Sequence, residues 1–329
     1  MKRRSFLTAA GATTALGMGL KTARDFDESG MRSDVFIAKA GSYEADLESI
    51  IRDGLHELGL GPSLVKGKSV LLKPNLVEPS RSAPQINTHP LVVRAAAEVF
   101  RRWGADEVVV AEGQGHCRDS QFVLDESGLG KVLDEARLPF VDLNHDDVVS
   151  VPNKLRFTAM TELTLPVTLT KRADLIVSMP KMKTHHWAGA TLSMKNFFGV
   201  MPGICYGWPK NVLHHMGIPQ SILDIVAAAR PHLAIVDGII GMEGDGPIMG
   251  TPKASGLLVT GRSLPAVDVT SAWLMAIVRW RISYLAGASG RLGPISESHI
   301  RQRGESIGPL IQPYELLNSP ELAGLRSQR

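Results

Sequence analysis

Short apolar runs alternate along this chain with longer segments in which apolar residues recur every three or four positions. The runs have strand length and are rich in Val, Ile and Leu, whereas the longer segments have the period of amphipathic helices. Strands are predicted at 35–38, 69–72, 107–111, 140–143, 161–169, 175–178, 233–236 and 256–260, and helices at 43–58, 88–103, 218–229 and 267–278. This alternation predicts an α/β fold, a mostly parallel doubly wound sheet with helices on both faces. Thr88 is the expected N-cap of the second helix, and Pro90 suits its first turn.

The pattern of elements is uneven along the 329 residues. Residues 34–286 carry the strands and helices and are predicted to form one α/β domain, which this length can supply with a large core. From residue 287 onward Gly, Ser and Arg become more frequent and the pattern fades. Residues 287–329 are therefore predicted to be a C-terminal extension, and residues 1–33 a signal and linker.

The N-terminus begins MKRRSFL and continues with small and apolar residues to Leu20. Paired arginines followed by a polar residue, Phe and Leu resemble a twin-arginine export signal. The apolar stretch is too short for a stable membrane span. We therefore expect a periplasmic or otherwise exported protein that meets the twin-arginine export machinery, and the alternative is a disordered basic tail.

Charge and cysteines exclude several classes of protein. Five of the 36 basic residues lie in residues 1–24, which leaves 31 basic against 33 acidic residues in the remainder. No long basic run indicates a nucleic-acid partner. Cys117 and Cys205 are the two cysteines of the sequence, too few for a four-cysteine iron–sulfur or zinc site within the chain. Sequence leaves open whether they pair.

Polar side chains follow several of the predicted strands. Because the carboxyl ends of parallel strands meet at one edge of a sheet, we expect these side chains to converge on a site there. The clusters are Lys73 with Asn75, Glu112 with His116, Lys181 with Lys183 and His185, and Asp237 with Glu243 and Asp245.

The segment from Met179 to His186 is the densest of these clusters. Lys181 and Lys183 suit a carboxylate or phosphate ligand, although a solvated strand end is the alternative. His185 shares their parity on an extended segment, so it is expected to face the same side and to act as acid/base or metal ligand. At most one of His185 and His186 is expected to face the site.

Further candidates follow in the sequence. Lys195 lies among small residues that permit close approach of a ligand, and Asn196 either orients it or caps a helix. His214, in a histidine pair, is a possible metal ligand or a surface residue. The loop 237–247 offers Asp237, Glu243 and Asp245 as oxygen ligands for a divalent metal, or is a glycine-rich turn whose carboxylates cap backbone amides.

Four segments together resemble domain-of-unknown-function family 362. They are LLKPNL at 71–76, PKMKTH at 180–185, TLSMKNFFG at 191–199 and DGIIGMEGDGP at 237–247. The resemblance runs from about residue 34 to about residue 275. Many members of that family carry added ferredoxin-type cysteine clusters, which this chain lacks, and the family name implies no settled activity.

A more distant resemblance is to nickel-pincer lactate racemase. His185 and Lys195 are ten residues apart in a glycine-containing segment, and Pro202-Gly203 follows. The resemblance implies that Lys195 carries the cofactor and that His214 or His215 ligates nickel. The sequence departs from that pattern at Ser193-Met194, where the racemase has two glycines, and the histidine register is shifted.

The expected function is an exported enzyme that acts on a small anionic molecule by proton transfer next to a carboxylate, with metal or cofactor assistance left open. His185, Lys195 and Lys183 are the expected catalytic residues. Lys73, Asn75, Lys181 and Asn196 are expected to bind substrate. The alternatives are an exported, non-catalytic binding protein for an anion or metal, and an accessory protein for maturation of a redox partner.

Overall fold

The computed structural model describes residues 28–326. Its strands are β1 Ser33–Lys39, β2 Ser69–Pro74, β3 Glu107–Glu112, β4 Phe140–Asp142, β5 Val148–Pro152, β6 Glu162–Pro166, β7 Leu175–Met179, β8 Lys181–His185, β9 Gly189–Thr191, β10 Leu233–Glu243, β11 Thr251–Gly261 and β12 Ile300–Gly304. Its α-helices are α1 Leu47–Glu57, α2 Pro90–Arg102, α3 Ser120–Ser127, α4 Leu129–Ala136, α5 Ser193–Asn196, α6 Gly203–Tyr206, α7 Asn211–His215, α8 Ile218–Ala229, α9 Leu264–Leu274 and α10 Ser283–Ala288.

Most strands belong to one sheet, in the order β12-β1-β11-β10-β7-β2-β3-β4. The pairs from β10 through β7, β2 and β3 to β4 are parallel, whereas β11 is antiparallel to both β1 and β10. This confirms the predicted α/β fold with a mostly parallel sheet. β8 and β9 extend from the main path, where β8 runs parallel to β10 and antiparallel to β9.

Helices cover both faces of the sheet because alternate strand residues point to opposite sides. In β2, Val70 and Leu72 belong to one apolar core and Leu71 to the other. The first core includes Ile51 of α1 and Phe100 of α2, and the second is packed by α8 and α9. The result is a doubly wound domain with its polar strand ends along one edge.

Two local predictions are corrected. His89, not Thr88, caps α2, since its ring nitrogen accepts the Leu91 N–H. The Thr88 hydroxyl instead donates to the Met179 carbonyl at 2.6 Å, which ties the loop before α2 to the end of β7. The predicted strand 161–169 ends at Pro166, pairs with β5 in a separate two-stranded sheet and passes into a π-helical turn at Thr168–Arg172.

Residues after 286 contribute to the same fold. β12 pairs in parallel with β1, and Leu316 bridges to Gly244. Buried side chains such as Leu310 and Tyr314 lie in the core that also contains Val35. The predicted export signal falls in residues 1–27, outside the described part. Between residues 28 and 326, no helix combines the length and apolar character that crossing a bilayer requires.

Candidate functional site

A cavity of about 440 Å³ opens where the carboxyl ends of β2, β3 and β8 meet. Its lining brings together residues that lie far apart in sequence, and it includes eight of the predicted site residues. These are Lys73, Asn75, Lys183, His185, Lys195, Asn196, His214 and Asp245. Convergence at the strand ends is what a parallel sheet predicts.

Lys73 is held in a buried network at the base of the cavity. Its Nζ donates to Glu112 Oε2 at 2.5 Å, to Asn196 Oδ1 at 2.9 Å and to the Pro74 carbonyl at 2.8 Å. An ammonium has three N–H donors, so all of them are used within the protein. Burial lowers the pKa of Lys73, and the Glu112 carboxylate opposes that shift. Lys73 and Asn196 therefore shape the cavity rather than offer free donors to a ligand.

Gly199 lies against this network. A Cβ atom at residue 199 would overlap the Glu112 carboxylate and would lie 2.6 Å from Lys73 Nζ. Only glycine fits at residue 199, because the backbone there lies directly against the ion pair of Lys73 and Glu112.

Lys183 is anchored by backbone oxygens. Its Nζ donates to the Ile86 carbonyl at 2.8 Å and to the Pro247 carbonyl at 3.1 Å. Burial, together with the nearby Lys181 and Lys195 cations, holds the pKa of Lys183 well below its usual value. Two of its bonding positions are thus fixed by the backbone.

Lys195 differs from the other cavity lysines in lacking a polar partner. Its Nζ lies 4.1 Å from the centroid of the Phe198 ring, and within residues 28–326 it forms no hydrogen bond or ion pair. Burial, and secondarily the charge of Lys73, lower the pKa of Lys195 to about 8. Lys195 is therefore mainly protonated at pH 7 and presents an uncompensated positive charge to the cavity.

The short helix α5 that carries Lys195 is fixed by a buried carboxylate. Asp268 accepts the Ser193 N–H at 2.7 Å, the Met194 N–H at 3.0 Å and the Ser193 hydroxyl at 2.5 Å. These donors are the free N–H groups at the start of α5. The carboxylate thus sets the position of Lys195 from the opposite side of the backbone.

His185 and His214 present different ring atoms to the cavity. Nδ1 of His185 accepts the N–H groups of Trp187 and Ala188 at 3.1 and 3.3 Å, so its proton is on Nε2. Nδ1 of His214 lies 3.0 Å from the Lys210 carbonyl, which only accepts, so the proton of His214 is on Nδ1 and its Nε2 is bare. Burial lowers the pKa of both rings, and both are neutral near pH 7.

Both members of the pair His185 and His186 line the cavity, contrary to the expectation that at most one would. His186 follows the last residue of β8, so the strand alternation no longer applies to it. Its Nδ1 lies 3.1 Å from Asp245 Oδ1, which joins β8 to the loop after β10.

Three predicted site residues lie outside the cavity. Lys181 donates to Asp237 Oδ2 at 2.6 Å and to the Tyr43 hydroxyl at 2.9 Å in a fully buried cluster. Asp237 is the residue paired with Lys181 between β8 and β10, and its carboxylate holds the Lys181 ammonium outside the cavity, whereas Lys183 bonds to backbone carbonyls beside it. Glu243 pairs with Lys253 at 3.0 Å.

The predicted carboxylate metal site is therefore not assembled. Asp237 and Glu243 are engaged elsewhere, while Asp245 and His214 line the cavity. Within the described residues, no group of three or more His, Cys, Asp or Glu side chains is arranged to hold a metal ion. Cys117 and Cys205 are both free and exposed.

Three buried polar atoms of the cavity lining lack a partner in the described part of the chain. They are Asn75 Oδ1, Gln114 Oε1 and Thr191 Oγ1. Buried polar atoms are nearly always hydrogen-bonded, so their concentration here indicates a place for a polar ligand.

Sequence reasoning missed Gln114, Thr191, Lys210 and Asp268. Lys210 donates to Asn144 Oδ1 and to the Met201 carbonyl, and burial lowers its pKa to about 8. Asp268 had a signal, since it is the single charged residue in the apolar helix 264–274. Gln114 lies two residues after β3 and Thr191 begins the segment 191–199, but neither is charged, and only their unpaired buried atoms distinguish them. Lys210 belongs to none of the segments singled out in the sequence.

Comparison with known proteins identifies relatives of the chain. The model of a family described as "Domain of unknown function (DUF362)" matches residues 70–273, in agreement with the resemblance of the four segments. The chain is 27% identical to a thylakoid-associated protein of Synechocystis sp. over 297 aligned residues. The alignment covers 87% of this chain and 86% of that protein.

Two solved structures are also similar. The lactate racemase apoprotein from Thermoanaerobacterium thermosaccharolyticum has 15% identity and a TM-score of 0.39, over 63% of this chain and 50% of that one. A structural-genomics protein from Thermotoga maritima has 15% identity and a TM-score of 0.35, over 74% of this chain and 59% of that one. The chain thus spans about half to three fifths of the length of these two proteins.

Proposed function

The chain belongs to the DUF362 family, and we propose that it is an enzyme that binds a small carboxylate in the strand-end cavity and moves a proton at the adjacent carbon. One observation carries the proposal: Lys195 is a cation without a polar partner in a cavity whose lining also contains unpaired polar atoms. An uncompensated charge inside a protein is costly unless a ligand of opposite charge balances it.

In this proposal the Lys195 ammonium binds the substrate carboxylate. The surrounding charges favour an anion, since Lys183 and Lys210 also line the cavity. Of the two carboxylates in the lining, Glu112 is paired with Lys73 and Asp245 with the ring of His186. The low polarity of a buried site strengthens this attraction relative to water. Asn75 and Thr191 are available to fix the orientation of the bound group.

Proton transfer is assigned to the two histidines by their tautomers. The bare Nε2 of His214 takes the proton from the carbon next to the carboxylate, and its ring becomes imidazolium. The Nε2–H of His185 donates a hydrogen bond to the oxygen on which negative charge develops, as a neutral imidazole. The imidazolium proton of His214 exchanges with water, and transfer of a solvent proton from His214 back to the carbon completes the exchange.

The cofactor that the racemase resemblance implies would be held by Lys195 Nζ and His214 Nε2, because both residues line the cavity and neither atom has a polar protein partner within residues 28–326. The group would supply a metal centre beside the substrate. It would occupy the two atoms that bind the carboxylate and take the proton in the mechanism above, so that mechanism is the one of the protein without the group. The roles of His185 and of the unpaired polar atoms do not depend on it.

The test of the proposed function is solvent exchange. The full-length protein is incubated in D₂O with 2-hydroxy, 2-amino and unsubstituted carboxylates, and deuterium at the carbon next to the carboxylate is followed by proton NMR. We expect exchange for at least one class. Tight carboxylate binding without exchange of any class would instead support the non-catalytic binding protein.

We also propose that the protein is exported. The support is the twin-arginine pattern at residues 2–7, while the Synechocystis relative is described as thylakoid-associated. Replacement of Arg3 and Arg4 by lysine should retain the protein in the cytoplasm, as measured by cell fractionation. Unchanged distribution of that variant would reject this export route.

A further inference from the structure

The mouth of the cavity has an apolar rim formed by Trp187 and Met249. Both residues line the cavity, yet Trp187 is 59% exposed and Met249 is 77% exposed. Large apolar side chains that stay exposed beside a binding cavity indicate contact with an apolar part of a ligand.

The rim is held together rather than formed by two loose loops. His186 donates its backbone N–H to the Gly246 carbonyl at 3.0 Å, and its ring pairs with Asp245. The Trp187 ring contacts the rings of His186 and His214, with centroids 4.6 and 6.0 Å away. Trp187 thus lies edge-on beside the histidine to which proton transfer is assigned.

The apolar surface continues from the rim into the cavity. Inside the cavity, Leu76, Val77, Phe198 and Ile248 add apolar lining. Cations at the base and apolar residues at the mouth match a molecule with an anionic head and an apolar tail.

We infer that the substrate is an amphipathic carboxylate, whose head group binds at Lys195 and whose aliphatic tail lies across Trp187 and Met249. This inference rests on the proposed function, because it assigns the head group to the same cavity. It adds the substrate class, since a short polar acid would leave the rim uncovered.

The test measures the affinity of straight-chain carboxylates of two to ten carbons for the full 329-residue chain by calorimetry. All ligands are kept below the concentration at which they aggregate. Burying a methylene group stabilises a complex enough to tighten binding about two- to fourfold. We expect that gain for each added methylene until the tail has passed the rim.

Substitutions of the two rim residues test whether the aliphatic tail binds there. Trp187→Ala and Met249→Ala should remove most of the dependence on chain length, whereas Trp187→Leu should keep much of it. Trp280→Ala is the matched control, because Trp280 is 55% exposed but does not line the cavity. It should retain the full dependence.

The outcomes separate this inference from the function on which it rests. Binding and exchange that do not vary with chain length would overturn the amphipathic substrate and leave the proposed function intact. Equal binding of alkylammonium ions of the same lengths, or no binding of any carboxylate, would overturn both. A separate titration of the ten-carbon acid above its aggregation concentration is the comparison: binding that appears only there would overturn the single-molecule tail in favour of a lipid surface.

Discussion

His185 and His214 line the same cavity with opposite tautomers. His185 accepts backbone N–H groups at Nδ1 and keeps a proton on Nε2, whereas His214 donates from Nδ1 to the Lys210 carbonyl and leaves Nε2 bare. A hydrogen-bond donor and a base are therefore presented by two chemically identical side chains. Backbone contacts decide which is which, and the histidine pattern alone does not reveal it.

The pH dependence of exchange should be bell-shaped. The base requires His214 in its neutral form, and burial lowers its pKa from 6.5, so the loss of activity on the acid side should lie below pH 6.5. Carboxylate binding requires the Lys195 ammonium, whose pKa is about 8, so activity should also fall above that pH. Rates of exchange measured from pH 5 to 10 test both limbs.

The substitution Lys195→Arg tests whether deprotonation of Lys195 causes the loss of activity at high pH. Because an arginine side chain stays charged throughout this range, the affinity of the variant for a carboxylate should persist above pH 9. If the affinity of this variant for a carboxylate still falls above pH 8, the titrating group is another one, such as Lys210.

His214→Phe should lower the exchange rate at least about 100-fold, the scale of general-base catalysis, and should change carboxylate affinity little. The neighbouring His215 offers a matched control, because it is exposed and does not line the cavity. His215→Phe should exchange at the normal rate. Equal rates in the two variants would remove the role of base from His214.

Thr191→Val should weaken carboxylate binding without loss of stability. The hydroxyl of Thr191 has no partner in the described residues, so its removal is expected to be neutral or to stabilise the protein by up to about 1 kcal/mol. Thr88→Val is the contrast, because the Thr88 hydroxyl bonds to both the Met179 carbonyl and the Asn75 N–H.

For Thr88→Val we expect a loss of about 1–3 kcal/mol, since two buried partners are left unpaired. Chemical denaturation of the two variants measures the difference. Equal destabilisation by both substitutions would mean that the Thr191 hydroxyl is already satisfied in solution and is not reserved for a ligand.

Lys73→Met should destabilise the fold by about 3–5 kcal/mol, because it leaves the buried Glu112 carboxylate without its partner. Lys39 pairs with Glu305 on the surface, where both side chains are well exposed, so Lys39→Met should cost at most about 1 kcal/mol. The double variant Lys73→Met, Glu112→Leu should recover part of the loss. A small effect of Lys73→Met would show that the network is hydrated.

Period and polarity in the sequence were enough to predict the α/β fold and the meeting of Lys73 and Lys183 at one sheet edge, because parallel strands end on the same side. Lys195 was expected at the site for a different reason, its small neighbours, and it lies on the short helix α5. The alternation of a strand did not predict that Lys181 lies outside the cavity, because its ammonium is held by the Asp237 carboxylate of the neighbouring strand. The sequence could not predict that all three N–H donors of Lys73 are used within the protein while the ammonium of Lys195 has no polar partner among the described residues. That distinction depends on contacts between residues more than a hundred positions apart.

The prediction of a metal site in residues 237–247 also depended on contacts that the sequence does not show. Asp237 and Glu243 lie on the extended strand β10 and form separate ion pairs, Asp237 with Lys181 and Glu243 with Lys253. Asp268 fixes the helix that carries Lys195 by accepting the backbone N–H groups of Ser193 and Met194. The sequence indicates such a contact only by placing a single charged residue in an apolar helix.

The most direct test of the central claim is calorimetry of carboxylate binding at pH 7 for the wild-type protein, Lys195→Met and the surface control Lys131→Met. A hydrogen bond to a charged group supports a loss of affinity of about 10- to 100-fold on removal of the ammonium. We predict that loss for Lys195→Met and wild-type affinity for Lys131→Met, whose side chain is 81% exposed. Wild-type affinity in a folded Lys195→Met protein would contradict the account.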